Sequence, residues 1–325
     1  MKKTIAVLYG GRSGEHEISI RSAKSIIAAL DPEKYNVREI FISKEGAWQP
    51  APLLPAPNAN PGIDVVFPAL HGTFGEDGTM QGLLELADLP YVGPGVLSSA
   101  LAMDKEVMKR VCRAHSLPVV DFIVQFRGAL DAAAIESQFG YPVFVKPANL
   151  GSSVGVAKAK DRATLEAALN AAAQYDRKII IEKAVIGREF ECSVLGNETI
   201  EASIPCEILP SREFYDYEDK YLLDKAVIEL PAKLTEEQTQ EMRRLAVAAC
   251  KACEVEGMSR VDFLMDGATG RIFINEVNTI PGFTSISMFP KMWEHSGIPY
   301  AQLLDKLIEL AIQRHETRNA TRYSK

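Results

Sequence analysis

Long apolar runs are missing from this 325-residue chain, and with them any stretch of transmembrane length. Long basic runs are missing too. The net charge is −7 and lysines and arginines are dispersed, so nucleic acid is not the expected partner. Cysteine is scarce: five residues, at 112, 192, 206, 250 and 253, an odd number that argues against a disulfide framework. Cys250-Lys-Ala-Cys253 has redox or zinc spacing, yet it falls within a helical pattern over 236–254 with no second Cys or His pair nearby. Core packing of two small side chains is the expectation there. Met1-Lys-Lys and the apolar residues after it lack the length and the small-residue cleavage site of a secretory signal, so the expected address is cytoplasmic. No internal repeat is visible.

What is present is a soluble globular composition, 47% hydrophobic and 24% charged, in a chain long enough for two or three domains. The pattern predicts an N-terminal α/β unit over 1–97, with strands at 4–9, 37–43, 63–68 and 91–92 and helices at 15–30 and 79–87. A second unit over 98–186 opens on a helix at 98–115, followed by strands at 122–125, 143–146 and 179–183 with a helix at 163–174. The third, 187–325, carries strands at 189–195, 202–208, 226–230, 259–265 and 271–277 and helices at 235–254 and 300–315. The fold class is α/β (α+β), with mixed sheets expected in the second and third units.

The richest stretch runs from Arg260-Val-Asp262 to Asn275-Glu276-Val-Asn278 and on through Pro281-Gly282 to Ser287. Strand side chains alternate faces, so a hairpin turning at 265–270 sets Asp262, Glu276 and Asn278 on one face with Arg260 beside them. Hard oxygen ligands of this kind suit Mg²⁺, which takes few protein ligands and shares nucleotide phosphates. A solvated strand face is the plainer alternative.

Lys146-Pro-Ala-Asn-Leu-Gly151-Ser152-Ser153-Val-Gly155 is a glycine–serine turn after a strand ending in lysine. Its backbone N–H groups can cradle an anion, although an ordinary hairpin turn has the same composition. It is not a Walker A loop, because the lysine precedes the glycines. Glu182-Lys183 ends a buried strand and leads through Gly187 to Glu189, a connection that suits an adenine edge and a ribose, or a plain linker. Glu15 opens a helix, where the dipole favours a carboxylate and a substrate ammonium could also be held. Phe214-Tyr-Asp-Tyr-Glu-Asp-Lys220-Tyr221 has the composition of a loop that closes over a site, or of a surface excursion.

In this order, from Gly10-Gly11 to Met288, these motifs resemble the ATP-grasp ligases and, among them, the D-alanine–D-alanine ligase family. The resemblance implies an ATP-grasp fold in which two domains clamp ATP, and the ATP-dependent joining of two D-alanines for peptidoglycan precursors. It assigns Lys105, Lys146, Gly151, Ser152, Ser153 and Lys220 to the ATP phosphates, with Glu182, Lys183 and Glu189 at adenine and ribose. Asp262, Glu276 and Asn278 would hold two Mg²⁺ (or Mn²⁺). Glu15 would grip the first D-alanine in a trio with Ser152 and Tyr221, with His71 nearby. Arg260 and Gly282 would face the oxyanion, and Ser287 and Met288 the second D-alanine. A cytoplasmic homodimer is the implied assembly. Tyr221 and Met288 set the expectation against D-lactate and D-serine as second substrates, and the Gly10–Glu17 and His71–Gly78 patterns against other ATP-grasp carboxylate–amine ligases.

Overall fold

The computed structural model describes residues 2–209 and 227–322, so Lys220, Tyr221 and the run around them lie outside the described residues. The chain opens with β1 (Lys3–Gly10), α1 (His16–Ala29), β2 (Tyr35–Ile42), β3 (Trp48–Gln49), β4 (Val65–Pro68) and α2 (Thr79–Leu86). β1 pairs in parallel with both β2 and β4, and β3 closes the edge antiparallel to β2. β1 and β4 are apolar throughout their buried centres (Ile5, Val7, Val65 and Phe67 are fully buried), as strands covered on both faces must be. Adjacent parallel strands deliver their following loops to the same sheet edge, so residues 11–15 and 69–78 emerge side by side. The expected strand at 91–92 is only a bridge, Tyr91 to Val66.

Next come α3 (Val96–Met103) and α4 (Lys105–Ala114). One helix was expected over 98–115, but the chain breaks at Asp104, whose carboxylate caps α4 by accepting from the N–H groups of Glu106 and Val107. An N-cap of this kind starts a helix wherever tertiary contacts redirect the chain, without Pro or Gly. The expected 97/98 boundary therefore falls inside α3. The chain continues through β5 (Phe122–Phe126), α5 (Ala132–Phe139), β6 (Val143–Pro147), β7 (Ala157–Ala159), α6 (Arg162–Tyr175) and β8 (Lys178–Lys183). Their sheet has the order β5-β8-β6-β7.

The last part comprises β9 (Gly187–Gly196), β10 (Glu201–Ala202), β11 (Cys206–Leu209), β12 (Val227–Glu229), α7 (Glu236–Ala252), β13 (Gly257–Asp266), β14 (Ile272–Asn278), α8 (Met288–His295) and α9 (Tyr300–Asn319). The path β12-β11-β9-β13-β14 forms its sheet, with β10 on β9. Both later sheets are antiparallel at every strand pairing among the described residues, so the expectation of mixed sheets is corrected. The expected strand at 202–208 is split into β10 and β11, with Pro205 between them. Cys250 and Cys253 are fully buried against β9 and β13, as core residues. A second core joins Phe67 of β4 to Phe283 (rings 5.5 Å apart, edge to face) and to α8 and α9, locking the 279–288 loop against the first sheet.

Candidate active site

Glu15 sits where β1 hands the chain to α1, and its carboxylate accepts a hydrogen bond from the Ser152 hydroxyl. That bond joins the first sheet's edge to the 151–155 turn of the second. A Cβ at Gly72 would lie 2.7 Å from the other Glu15 oxygen, and Gly72 holds φ +73°, so glycine is required twice over. His71 is buried, with Nδ1 3.1 Å from the Ile280 carbonyl and Nε2 2.8 Å from the Ser22 hydroxyl. The carbonyl can only accept, so Nδ1 carries the proton and Ser22 donates to Nε2. Burial lowers the His71 pKa and the ring is neutral. Glu76 lies close by and accepts from the Gly72 N–H at 2.6 Å. Burial, then the nearby Glu15 charge, pushes its carboxyl well above the usual range.

The 151–155 motif is a built turn. Ser152 and Ser153 both hold positive φ, 52° and 57°, a left-handed conformation that non-glycine residues adopt at a cost. Lys146, at the end of β6, reaches Glu182 at 2.6 Å and the Asn275 amide oxygen at 3.2 Å. Lys105 donates to the Leu150 carbonyl at 2.7 Å and lies 3.4 Å from Glu276. Burial alone would raise Glu182, yet Lys109 and Lys146 outweigh it and hold its carboxyl at about 2. A cavity of about 360 Å³ opens here, with Lys146, Glu182, Lys183 and Glu189 on its polar side and Phe144 and Val185 on its apolar side.

The hairpin has the anticipated face. Cross-strand register pairs Asp262 with Glu276 and Arg260 with Asn278. Arg260 grips Asp262 through two parallel bonds of 2.7 Å, and Asn278 donates to Asp262 at 3.0 Å. Glu191, opposite Asp262 on β9, lies 3.4 Å from the Arg260 guanidinium. Burial works against the Arg260 charge, but Asp262 and Glu191 raise its pKa well above an already high value, so it is a permanent cation. Among the described residues no group of three or more His, Cys, Asp or Glu side chains is placed to hold a metal. The hairpin's donors are two carboxylates and an amide oxygen, which fits an ion that also shares phosphate oxygens.

Beyond the hairpin a larger cavity of about 740 Å³ is lined by Glu15, His71, Arg260, Gly282, Ser287 and Met288. Ser287 stands at the start of α8, a helix the sequence pattern did not reveal, and its hydroxyl accepts from the Thr284 N–H at 3.0 Å. A Cβ at Gly282 would meet that hydroxyl at 2.6 Å, so glycine lets the loop fold this tightly. Lys105, Gly151, Ser152, Glu191 and Glu276 line both cavities, which therefore share one wall. Every expected site residue inside the described range borders one cavity or the other.

Sequence reasoning missed Glu76, Lys109 and Glu191. Glu76 lies in the glycine loop after β4, but its burial beside Glu15 is a tertiary fact. Glu191 is two residues from Glu189 and therefore on the same strand face, a period-two signal that was available. Lys109 is one helical turn beyond Lys105.

Family models described as the D-ala D-ala ligase N-terminus and C-terminus match residues 4–58 with 52–94, and 111–309. A curated D-alanine–D-alanine ligase of Solibacter usitatus is 63% identical over the full length of both chains. The D-alanine–D-alanine ligase structure from Coxiella burnetii is 39% identical, with a TM-score of 0.88 over 98% of this chain and 96% of that one. The VanG D-Ala:D-Ser ligase of Enterococcus faecalis is 36% identical, with a TM-score of 0.87 over 96% of this chain and 100% of that one. With both family models matched and a full-length relative this close, the chain belongs to the D-alanine–D-alanine ligase family.

Proposed function

We infer that this chain joins two D-alanines into D-alanyl-D-alanine at the expense of ATP, for peptidoglycan precursor synthesis, on an ATP-grasp fold. D-Lactate and D-serine are not favoured as second substrates. The carrying observation is the shared wall: the charged cavity beside Lys146 and the larger cavity beyond the hairpin meet at Lys105, Ser152 and Glu276. A phosphoryl group bound on one side is thereby presented to a carboxylate bound on the other.

Glu15, with its partner Ser152, holds the first substrate's ammonium, and His71 closes that end. The substrate carboxylate attacks the γ-phosphate, giving D-alanyl phosphate and ADP. Lys105, Lys146 and the N–H groups of the 151–155 turn neutralise and position the phosphates. Glu182, Lys183 and Glu189 take the adenine and ribose. Asp262, Glu276 and Asn278 would hold two Mg²⁺ (or Mn²⁺), which when bound offset phosphate charge. The second D-alanine is seated with its carboxylate at Ser287 and the N-terminus of α8, where the helix dipole favours an anion. Met288 supplies an apolar wall. The uncharged amine of the second D-alanine attacks the acyl carbon, and Arg260 with the Gly282 N–H stabilises the oxyanion until the C–O bond to phosphate breaks; phosphate leaves and the amine's proton is lost. Lys220 and Tyr221 belong to this reading as the phosphate contact and the third member of the Glu15 trio.

We assign residues 1–95, 96–186 and 187–325 to three domains, moving the expected 97/98 boundary to the start of α3. The resemblance also carries the expectation of a cytoplasmic homodimer; among the described residues no helix is long and apolar enough to cross a membrane. The direct test is D-alanine-dependent ADP release. Turnover that needs both D-alanine and Mg²⁺ supports the reading, and ADP release indifferent to D-alanine overturns it.

A further inference from the structure

Lys109 is fully buried on α4, one turn beyond Lys105, and no step of the reaction touches it. Its ammonium lies 2.8 Å from one oxygen of Glu182, while Lys146 lies 2.6 Å from the other. Burial lowers the Lys109 pKa, and the Glu182 charge is the largest effect opposing it. Lys146 and Glu182 line the nucleotide cavity; Lys109 stands behind the carboxylate, outside the lining.

Charge arithmetic makes that placement consequential. Two ammoniums and one carboxylate leave one excess positive charge, and only Lys146 can present it to the cavity. Without Lys109 the whole Glu182 charge would fall on Lys146 in a poorly screened interior, where paired charges neutralise each other strongly. The part of the cavity wall that Lys146 supplies would then be neutral, leaving Lys105 to face the phosphates. We propose that Lys109 is a positioning residue that occupies Glu182 from behind, so that Lys146 keeps its charge and a free donor for the nucleotide phosphates. The proposal deepens the ATP-site reading given above and rests on it.

The test is calorimetric or competition binding of Mg-ADP and of adenosine to Lys109→Met and to Lys109→Met with Glu182→Gln. Methionine matches the lysine stem without its charge. Lys109→Met is expected to weaken Mg-ADP about tenfold and adenosine by less than about twofold, because the lost charge acts on phosphates. The double variant restores the one excess charge and is expected to bind Mg-ADP more tightly than Lys109→Met. Equal losses for ADP and adenosine, or a double variant no tighter than the single, overturn the proposal. Should Lys109→Met not fold, Lys109→Gln is measured in its place: a Mg-ADP loss at least about fivefold larger than its adenosine loss supports the proposal, and equal losses contradict it. Failure of the ATP-site reading itself is distinguishable, since the wild-type protein would then bind no Mg-ADP.

Discussion

Ser152, in the turn after β6, donates its hydroxyl to the carboxylate of Glu15 at the start of α1. This contact joins the first sheet's edge to the 151–155 turn, and under the proposed function it ties the amino-acid end of the site to the phosphate end. A bond to a charged acceptor contributes about 1.5–3 kcal/mol. Ser152→Ala is accordingly expected to lower kcat/KM for D-alanine by roughly ten- to a hundredfold. Steady-state kinetics that leave kcat/KM within twofold of wild type would detach Ser152 from the site.

Gly72→Ala tests the other side of Glu15. The new methyl would lie 2.7 Å from the carboxylate at a φ of +73°. Left-handed backbone costs an L-residue about 1–2 kcal/mol, and the carboxylate must also move. KM for D-alanine is expected to rise roughly tenfold, with Mg-ADP affinity unchanged. A parallel loss of nucleotide affinity would show a general distortion instead.

Arg260→Lys keeps the charge but loses the two-pronged grip on Asp262. Both Asp262 placement and oxyanion stabilisation should suffer. The expected result is a fall in kcat on the order of a hundredfold. Unimpaired kcat would remove Arg260 from the reacting atoms.

Glu182 provides a pH prediction. Its folded-state pKa, about 2, lies below its ordinary 4.5, so the stabilisation it gives is present above 4.5 and lost as pH falls toward 2. The contribution at stake is roughly 3 kcal/mol. In denaturant unfolding of nucleotide-free protein, the stability difference between wild type and Glu182→Gln should shrink between pH 5 and pH 3. A constant difference across that range would mean the carboxylate is not held by its lysines.

Much of the site was legible because it lies on strands or beside them. Alternation alone aligned Arg260 with Asp262 and Glu276 with Asn278, but their pairing depends on a register shift at Asn275 that brings Glu276 opposite Asp262, which the sequence did not announce. The 151–155 turn announced itself by composition after Lys146. The break at Asp104 did not, because Met103-Asp104-Lys105 contains neither Pro nor Gly within an otherwise helical pattern. Lys109 and Glu182 are remote in sequence, so their pairing, like Glu76 beside Glu15, exists only in the packed chain. The α8 start at Ser287 was hidden because α8 is short and contains Pro290.

The central claim is that the cavity beyond the hairpin seats a second D-alanine whose amine takes the acyl group. Mass spectrometry of products from ATP, Mg²⁺ and an equimolar mixture of D-alanine, D-serine and D-lactate near neutral pH tests it directly. D-Alanyl-D-alanine is predicted as the dominant product. A predominance of D-alanyl-D-lactate or D-alanyl-D-serine, or no dipeptide alongside ADP release, would contradict it.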